Sequence, residues 1–254
     1  MRFTIDNVKQ LKEAIEKIQG KGKYQKESGL SSGKLLDYFY CELNGNTLSL
    51  WNGNSTFVLC HTLEVNGEED GNFFGSATRI LPYLKKFTEL NVTVNDFIHM
   101  SGNGRTASIP KVVNHPNSDA LERIKDMISH VEFSANVDRT YTFGKSNFEG
   151  VFQTTGGAFD DAISFLELSG VGIYKLNFDG EECTMSTSSG IQQSTTPLET
   201  TQVFGEPATL EYSSPVHKFF DKDELINFYV KDEFPLLVIS ANKKALKAPY
   251  SGGN

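Results

Sequence analysis

Two glycine-bearing stretches have residue types that could cradle a phosphate. Gly144-Lys145-Ser146 has the end of a phosphate loop, where backbone N–H groups face the anion and a lysine neutralises it. That loop needs a glycine five positions before Gly144, and Arg139 stands there, so the cradle is missing. Gly102-x-Gly104-x-x-Ala107 has dinucleotide-turn spacing, but it leads into a strand where a helix N-terminus should receive the pyrophosphate. Hairpin turns account for both. The five histidines, His61, His99, His115, His130 and His217, show no metal-ligand spacing, and no serine sits in a nucleophile-elbow pattern. Cys41, Cys60 and Cys183 are odd in number and far apart, which fits buried thiols and neither a disulfide framework nor a zinc site. The acidic pairs Glu68-Glu69 and Asp160-Asp161 read as solvated turn residues. Nothing here assembles a reacting centre. The expectation is a protein that is not an enzyme and takes no cofactor and no metal.

The remaining chemistry is that of charge. The 254 residues carry a net −8, with 22% charged and 38% hydrophobic side chains. A compact DNA reader usually has a basic surplus. Phosphate attraction is nevertheless local, screened within about 10 Å at moderate salt, so an acidic protein needs only one basic face. No apolar run is long enough to cross a bilayer. The start, Met1-Arg2-Phe3-Thr4-Ile5-Asp6, has no apolar signal core and no small-residue cleavage site, and an intracellular protein is expected.

The elements that must position these charges can be read from periodicity. From Asn7 to Gln19, Val8, Leu11, Ala14, Ile15 and Ile18 fall on one helical stripe, with Asp6 or Asn7 as the cap. Lys9, Lys12 and Lys17 lie opposite that stripe, sharing their face with Glu13 and Glu16. After the Gly-, Lys- and Ser-rich stretch Gly20–Gly33, the period changes to strands at Asp37–Leu43, Thr47–Trp51 and Thr56–Val65. Asn44-Gly45, Asn52-Gly53 and Asn66-Gly67 read as their turns. A helix is expected near Ser76–Phe87, starting late or bending to admit Pro82. Strands return at Asn91–Val94, Phe97–Ser101 and Thr106–Val113. Residues Asn114 to about Glu132 read as a linker with a short amphipathic piece that carries Leu121, Ile124, Met127 and Ile128.

The order then restarts. A strand is expected at Thr140–Phe143, a helix at Ser146–Thr155, and strands at Ala162–Glu167, Ile173–Phe178, Glu182–Ser186, Gln192–Leu198 and Ala208–Tyr212. A helix at Ser213–Asp221 and further strands follow. The two closings echo each other: Asn91–Ser101, a turn and Thr106–Pro110 against Asn227–Ser240, a turn and Ala245–Pro249. This is a diverged internal duplication, with units at 1–113 and 133–254 joined by a connector at 114–132.

Glu233-Phe234-Pro235-Leu236-Leu237-Val238 followed by Leu246-Lys247-Ala248-Pro249 resembles the end of the proliferating cell nuclear antigen family. Met1-Arg2-Phe3-Thr4-Ile5, leading into a helix, and Asn46-Thr47-Leu48-Ser49-Leu50 resemble both that family and the bacterial β-clamp. The order of elements matches over nearly the whole chain, with Lys247 in the tail, the long connector and the basic Gly20–Lys26 loop as departures. The resemblance implies an α+β clamp fold of two similar domains, each with antiparallel sheets outside and two helices inside. It implies a DNA sliding clamp, a processivity factor in replication and repair. Six units would make a ring around duplex DNA, so a two-unit chain implies a homotrimer. Thr106–Val113 of one subunit would pair with about Ile191–Leu198 of the next.

The same resemblance implies weak, sequence-blind phosphate contacts from Lys9, Lys12, Lys17, Arg79, Lys85, Lys86, Lys145, Lys218 and Lys222. It also implies a site for a short apolar-aromatic peptide from polymerases, ligases and nucleases, made of Trp51, Ser55, Thr56, Val58, Leu121, Ile124, Met127, Pro235, Ala248, Pro249 and Tyr250. A clamp loader is a further implied partner, and no membrane is. The rival expectations are a duplicated β-rich structural or ligand-binding protein without a DNA role, an enzyme with a dispersed site, and a virus-encoded or heteromeric ring subunit.

Overall fold

The computed structural model describes residues 1–19, 37–54, 56–113, 118–130, 134–135, 141–143, 146–188, 192–213 and 216–250. It divides into two compact units. The first takes in Met1–Gln25, Ser31–Asn54 and Leu59–Ile128, and the second takes in Ser129–Asn254 with the short segment Ser55–Val58.

The first unit runs β1 (Arg2–Ile5), α1 (Val8–Ile18), β2 (Tyr38–Asn44), β3 (Thr47–Asn54), β4 (Phe57–Glu64), β5 (Asn66–Glu69), β6 (Gly71–Ser76), α2 (Ala77–Leu84), β7 (Leu90–Val94), β8 (Phe97–Gly102), β9 (Arg105–Pro110) and α3 (Ser118–His130). Its strands make two antiparallel layers, β5-β1-β7-β8-β9 and β4-β3-β2-β6. Inward residues alternate along each strand, as in β2, where Phe39, Cys41 and Leu43 are buried. Asn7 caps α1, its side-chain oxygen accepting from the Gln10 N–H at 3.3 Å.

The second unit begins with a small sheet, β10 (Ser134–Ala135), β11 (Tyr141–Phe143) and β12 (Ser146–Asn147). It continues with β13 (Gly150–Thr155), α4 (Gly156–Glu167), β14 (Ile173–Phe178), β15 (Cys183–Ser188), β16 (Gln193–Leu198), β17 (Gln202–Gly205) and β18 (Ala208–Ser213). A 3-10 turn at His217–Phe219 precedes β19 (Leu225–Val230), β20 (Leu236–Ile239) and β21 (Lys243–Lys247). Its layers run β17-β13-β19-β20-β21 and β16-β15-β14-β18. Replacing β1 by β13, α1 by α4, α2 by the 3-10 turn and β9 by β21 converts one unit's order and pairing into the other's. The duplication is therefore topological, element for element. An aromatic core holds the second unit: Phe152 stacks on Phe228 at 4.8 Å, and Phe159 meets Phe228 edge-on at 4.9 Å.

Several local expectations are corrected. The segment expected as a helix at Ser146–Thr155 is strand, and the one expected as a strand at Ala162–Glu167 lies within α4. Gly150–Thr155 alternates buried and half-buried residues between two partner strands. Gly156-Gly157, a poor helix opening by propensity, is demanded by packing, since a Cβ on Gly156 would lie 2.0 Å from the Asp221 carbonyl oxygen. The helix expected at Ser213–Asp221 is reduced to the 3-10 turn, because β18 extends to Ser213 and Phe220 is extended (φ −92°, ψ 150°). The helix expected at Ser76–Phe87 is α2, which ends at Leu84, two residues past Pro82.

Of the three expected Asn-Gly turns, the first lies at a two-residue β2–β3 hairpin with Gly45 at φ 56°. Asn52-Gly53 lies inside β3, where buried Asn52 donates from Nδ2 to the Ile18 carbonyl at the end of α1 (3.0 Å). Asn66-Gly67 opens β5, which leaves the layer of β4 to pair with β1. The β8–β9 hairpin turns on Asn103-Gly104, both at positive φ (50° and 68°), which identifies the Gly102–Ala107 spacing as a turn.

Candidate functional site

The expected cations are not equivalent. Lys9 is exposed on α1, and Lys12 is engaged by Glu16 one turn on (2.9 Å). Lys17 is 5% exposed; three residues after Ala14, it rides the flank of the buried stripe and does not lie on the opposite face. Arg79, Lys85 and Lys86 are exposed on and just after α2, all in the first unit. Lys145 lies outside the described residues.

Lys218 and Lys222, in the second unit, converge on Asp160. One carboxylate oxygen is 2.5 Å from the Lys218 ammonium, and the other is 3.1 Å from that of Lys222. Asp160 was expected in a solvated turn, but it lies in the second turn of α4 and is 5% exposed. Burial works to raise its pKa; the hydrogen bonds and charges of Lys218 and Lys222 outweigh it and hold the carboxyl below its usual range. Buried His217 lies 3.6 Å from the same carboxylate. Burial, and then the charge of Lys218, push its pKa down to about 4, so the ring is neutral near pH 7. The helical spacing of Phe159, Ala162, Ile163 and Leu166, all buried, is the sequence signal that would have placed Asp160 on a helix. The other acidic pair, Glu68-Glu69, lies on β5 and not in a turn.

The expected peptide-site residues form one group in each unit. In the first, α3 lays Leu121 and Ile124 onto Phe74, with Tyr38, Tyr40, Val112, Met127 and Ile128 packed around them. Leu121 and Ile124 (5% and 0% exposed) are spent on that helix–sheet contact. Half-buried Met127 stays at its rim, and half-buried Trp51 sits directly across from Tyr40 in the β2–β3 pair. Tyr40 and Phe74, 5.1 Å apart, form a floor that sequence reading missed, because aromatic residues in strands are ordinary core material.

In the second unit, the Ala248 N–H donates to the Thr56 carbonyl (2.9 Å), and the Tyr250 N–H donates to the Glu211 carbonyl (2.6 Å). These bonds fix Ala248-Pro249-Tyr250, and the Tyr250 ring remains 39% exposed. Pro235 stands opposite Ala248 by continuation of the Leu236–Lys247 pairing. Val58 is buried and belongs to the core, and Ser55 lies outside the described residues.

Among the strands that end their sheets are β9 in the first unit and β16 in the second. Each has a helix against it, α2 on β9 and α4 on β16. These helices expose apolar side chains: Tyr83 on α2, Phe165 within α4 and Leu168 just after it. Among the described residues, no group of three or more His, Cys, Asp or Glu side chains could hold a metal ion. The three cysteines are buried, and burial pushes the thiols of Cys41 and Cys183 well above their usual pKa.

No protein-family model matches the sequence, and no curated protein is similar to it by sequence. Solved structures are similar in fold. The DNA polymerase III β subunit of Thermotoga maritima superposes with a TM-score of 0.72 at 14% identity over 100% of this chain and 66% of its own. The PCNA of A. fulgidus, solved with the C-terminal region of FEN-1, gives 0.68 at 9% identity over 100% of this chain and 99% of its own. The Helicobacter pylori β clamp bound to a DNA ligase peptide gives 0.67 at 12% identity over 100% of this chain and 68% of its own. The chain thus spans about two thirds of the β clamps and nearly all of the PCNA. With its antiparallel layers, its few helices and its duplicated order of elements, the chain has the fold of the sliding-clamp superfamily.

Proposed function

We propose that this chain is the subunit of a DNA sliding clamp: a homotrimeric ring that encircles duplex DNA inside the cell and tethers a polymerase and other DNA-processing proteins. The observation that carries the reading is the element-for-element duplication in a clamp fold of nearly full PCNA length. Two units per chain give six in a trimer. Head-to-tail pairing of β9 with β16 of the next copy would satisfy two open ladders at once, and the rotation closes the ring. Tyr83 beside β9 and Phe165 with Leu168 beside β16 supply apolar surface for the same contact.

The lining contacts fall to Lys9, Lys12, Arg79, Lys85, Lys86, Lys145, Lys218 and Lys222, and Lys17, the ninth expected cation, is buried. Few and partly neutralised, they suit sliding more than tight holding. Trp51 and Met127 in the first unit, and Pro235, Ala248, Pro249 and Tyr250 in the second, would take the apolar-aromatic peptide of a partner. Among the similar structures, the A. fulgidus PCNA holds the C-terminal region of FEN-1 and the Helicobacter pylori β clamp a DNA ligase peptide. A tether raises the local concentration of its partner and needs no catalytic residue. A loader would place the ring on DNA.

Retention on DNA is the test. The purified protein with a loader should remain on nicked circular DNA through gel filtration and run off after linearisation. Equal retention on both topologies would rule out encirclement. Native mass spectrometry should give a trimer, and a monomer at micromolar concentration would sink the homomeric ring.

A further inference from the structure

Asp160 is the most buried acid in the second unit's cation cluster. A carboxylate taken from water is costly unless it is paired and hydrogen-bonded. Here each oxygen takes one ammonium, that of Lys218 at 2.5 Å and that of Lys222 at 3.1 Å, with neutral His217 alongside. Lys222 has an exposed side chain (73%), yet its end returns to Asp160. The Lys218 side chain is 23% exposed, so an anion from solvent can compete with the carboxylate for its ammonium. Two cations therefore present a local charge of one.

We propose that Asp160 is a restraining residue for DNA contact: its carboxylate holds Lys218 and Lys222, and a backbone phosphate must compete with it for both. The proposal rests on the reading above, in which these two lysines face duplex DNA. The carboxylate acts as an internal stand-in for phosphate. It keeps the lysines positioned between contacts and lowers the gain from each contact, which favours a ring that moves along DNA. Asp161, the next residue on the same helix, is exposed and provides a charge-matched control.

The test is equilibrium binding of a short duplex, by NMR titration, at salt concentrations from 50 to 200 mM. Asp160→Asn should tighten binding and steepen the log–log salt dependence by about 0.9 to 1.8, the range for one to two added phosphate contacts. Each such contact adds roughly a 3.5-fold loss of affinity across that salt range. Asp161→Asn removes the same charge and should leave the slope unchanged. Adding Lys218→Gln and Lys222→Gln to D160N should remove the gain, and Asp160→Ser should behave as D160N does. A D160N slope equal to that of D161N overturns the proposal.

Reductive methylation of Lys218 gives a readout without DNA. It should be faster in D160N than in the wild type or D161N, and an unchanged rate also overturns the proposal. Absence of any salt-dependent duplex affinity in the wild type and all variants sinks the DNA reading, and the proposal with it. That outcome is distinct from wild-type binding that D160N leaves untouched.

Discussion

Lys247 lies on β21 with 1% of its surface exposed, across from the fully buried Leu236. Among the described residues no carboxylate pairs with it, and burial pushes its pKa from 10.5 down to about 8. Below pH 8 the amine is charged in both the folded and unfolded chain, so the folded state bears the whole cost of desolvation. Between pH 8 and 10.5 the folded chain has released the proton and the unfolded chain has not, and stability rises with pH across that window. At about 1.4 kcal/mol per pH unit the full effect is roughly 3 kcal/mol. The flexible stem lets the ammonium work toward solvent and recover part of this, leaving about 1–2 kcal/mol. Lys247→Met keeps the stem's volume and removes the charge. Urea unfolding at pH 7 should therefore show the variant more stable by about 1–2 kcal/mol with an unchanged m-value, a rise of a few degrees in Tm. The difference should shrink as pH is raised from 7 to 10. A destabilised variant, or a gain constant with pH, would refute the assignment of an unpaired buried lysine.

Lys243, four residues earlier on the same strand, should respond in the opposite sense. Burial works against its charge, but Asp221 (2.7 Å) and Glu224 (2.6 Å) outweigh it and raise the pKa, so its contribution is present at neutral pH and lost only in strong alkali. Lys243→Met strands two acids and should cost about 3 kcal/mol in the same urea assay; a neutral result would mean that the pair is relaxed by water. Replacing Phe165 and Leu168 by Asp should convert the proposed trimer to folded monomers in native mass spectrometry, whereas a persistent trimer would move the interface elsewhere. Pro249→Ala with Tyr250→Ala should weaken a partner peptide by about tenfold in fluorescence anisotropy while the trimer survives, and unchanged affinity would displace the proposed pocket.

The two lysines show how much of the molecule periodicity reveals. Apolar alternation identifies β21 as a strand, and Lys247 stands out in the sequence as a cation within an apolar tail. Nothing local distinguishes it from Lys243, because the difference is made by Asp221 and Glu224, some twenty positions away in the chain. The same holds on α4. Its Gly-Gly opening contradicts helix propensity and displaces the expected helix by about ten residues, since the glycines answer to a carbonyl oxygen on the Asp221 loop. Strands with strong alternation, such as β2 and β14, and the positive-φ turns at Gly45 and Asn103-Gly104 were legible because their causes are local.

The candidate site divides along the same line. Exposure of a single lysine follows from helical spacing only while neighbouring elements leave that face open. It fails for Lys17 beside the buried stripe; Lys222 is exposed, yet its ammonium, like that of Lys218, is engaged by Asp160 from α4. The duplication itself bears on this asymmetry. Both units repeat one pairing scheme, so the sheets are fixed by topology, yet the element equivalent to α2 is a single 3-10 turn in the second unit. That shortened element carries the Lys218–Asp160 pair, whereas α2 and its end present Arg79, Lys85 and Lys86, with which no carboxylate pairs among the described residues. Two units with one fold thus carry different charge on equivalent elements. A ring of such chains would alternate restrained and unrestrained cation clusters around its axis, and removing the restraint at Asp160 should make the two alike.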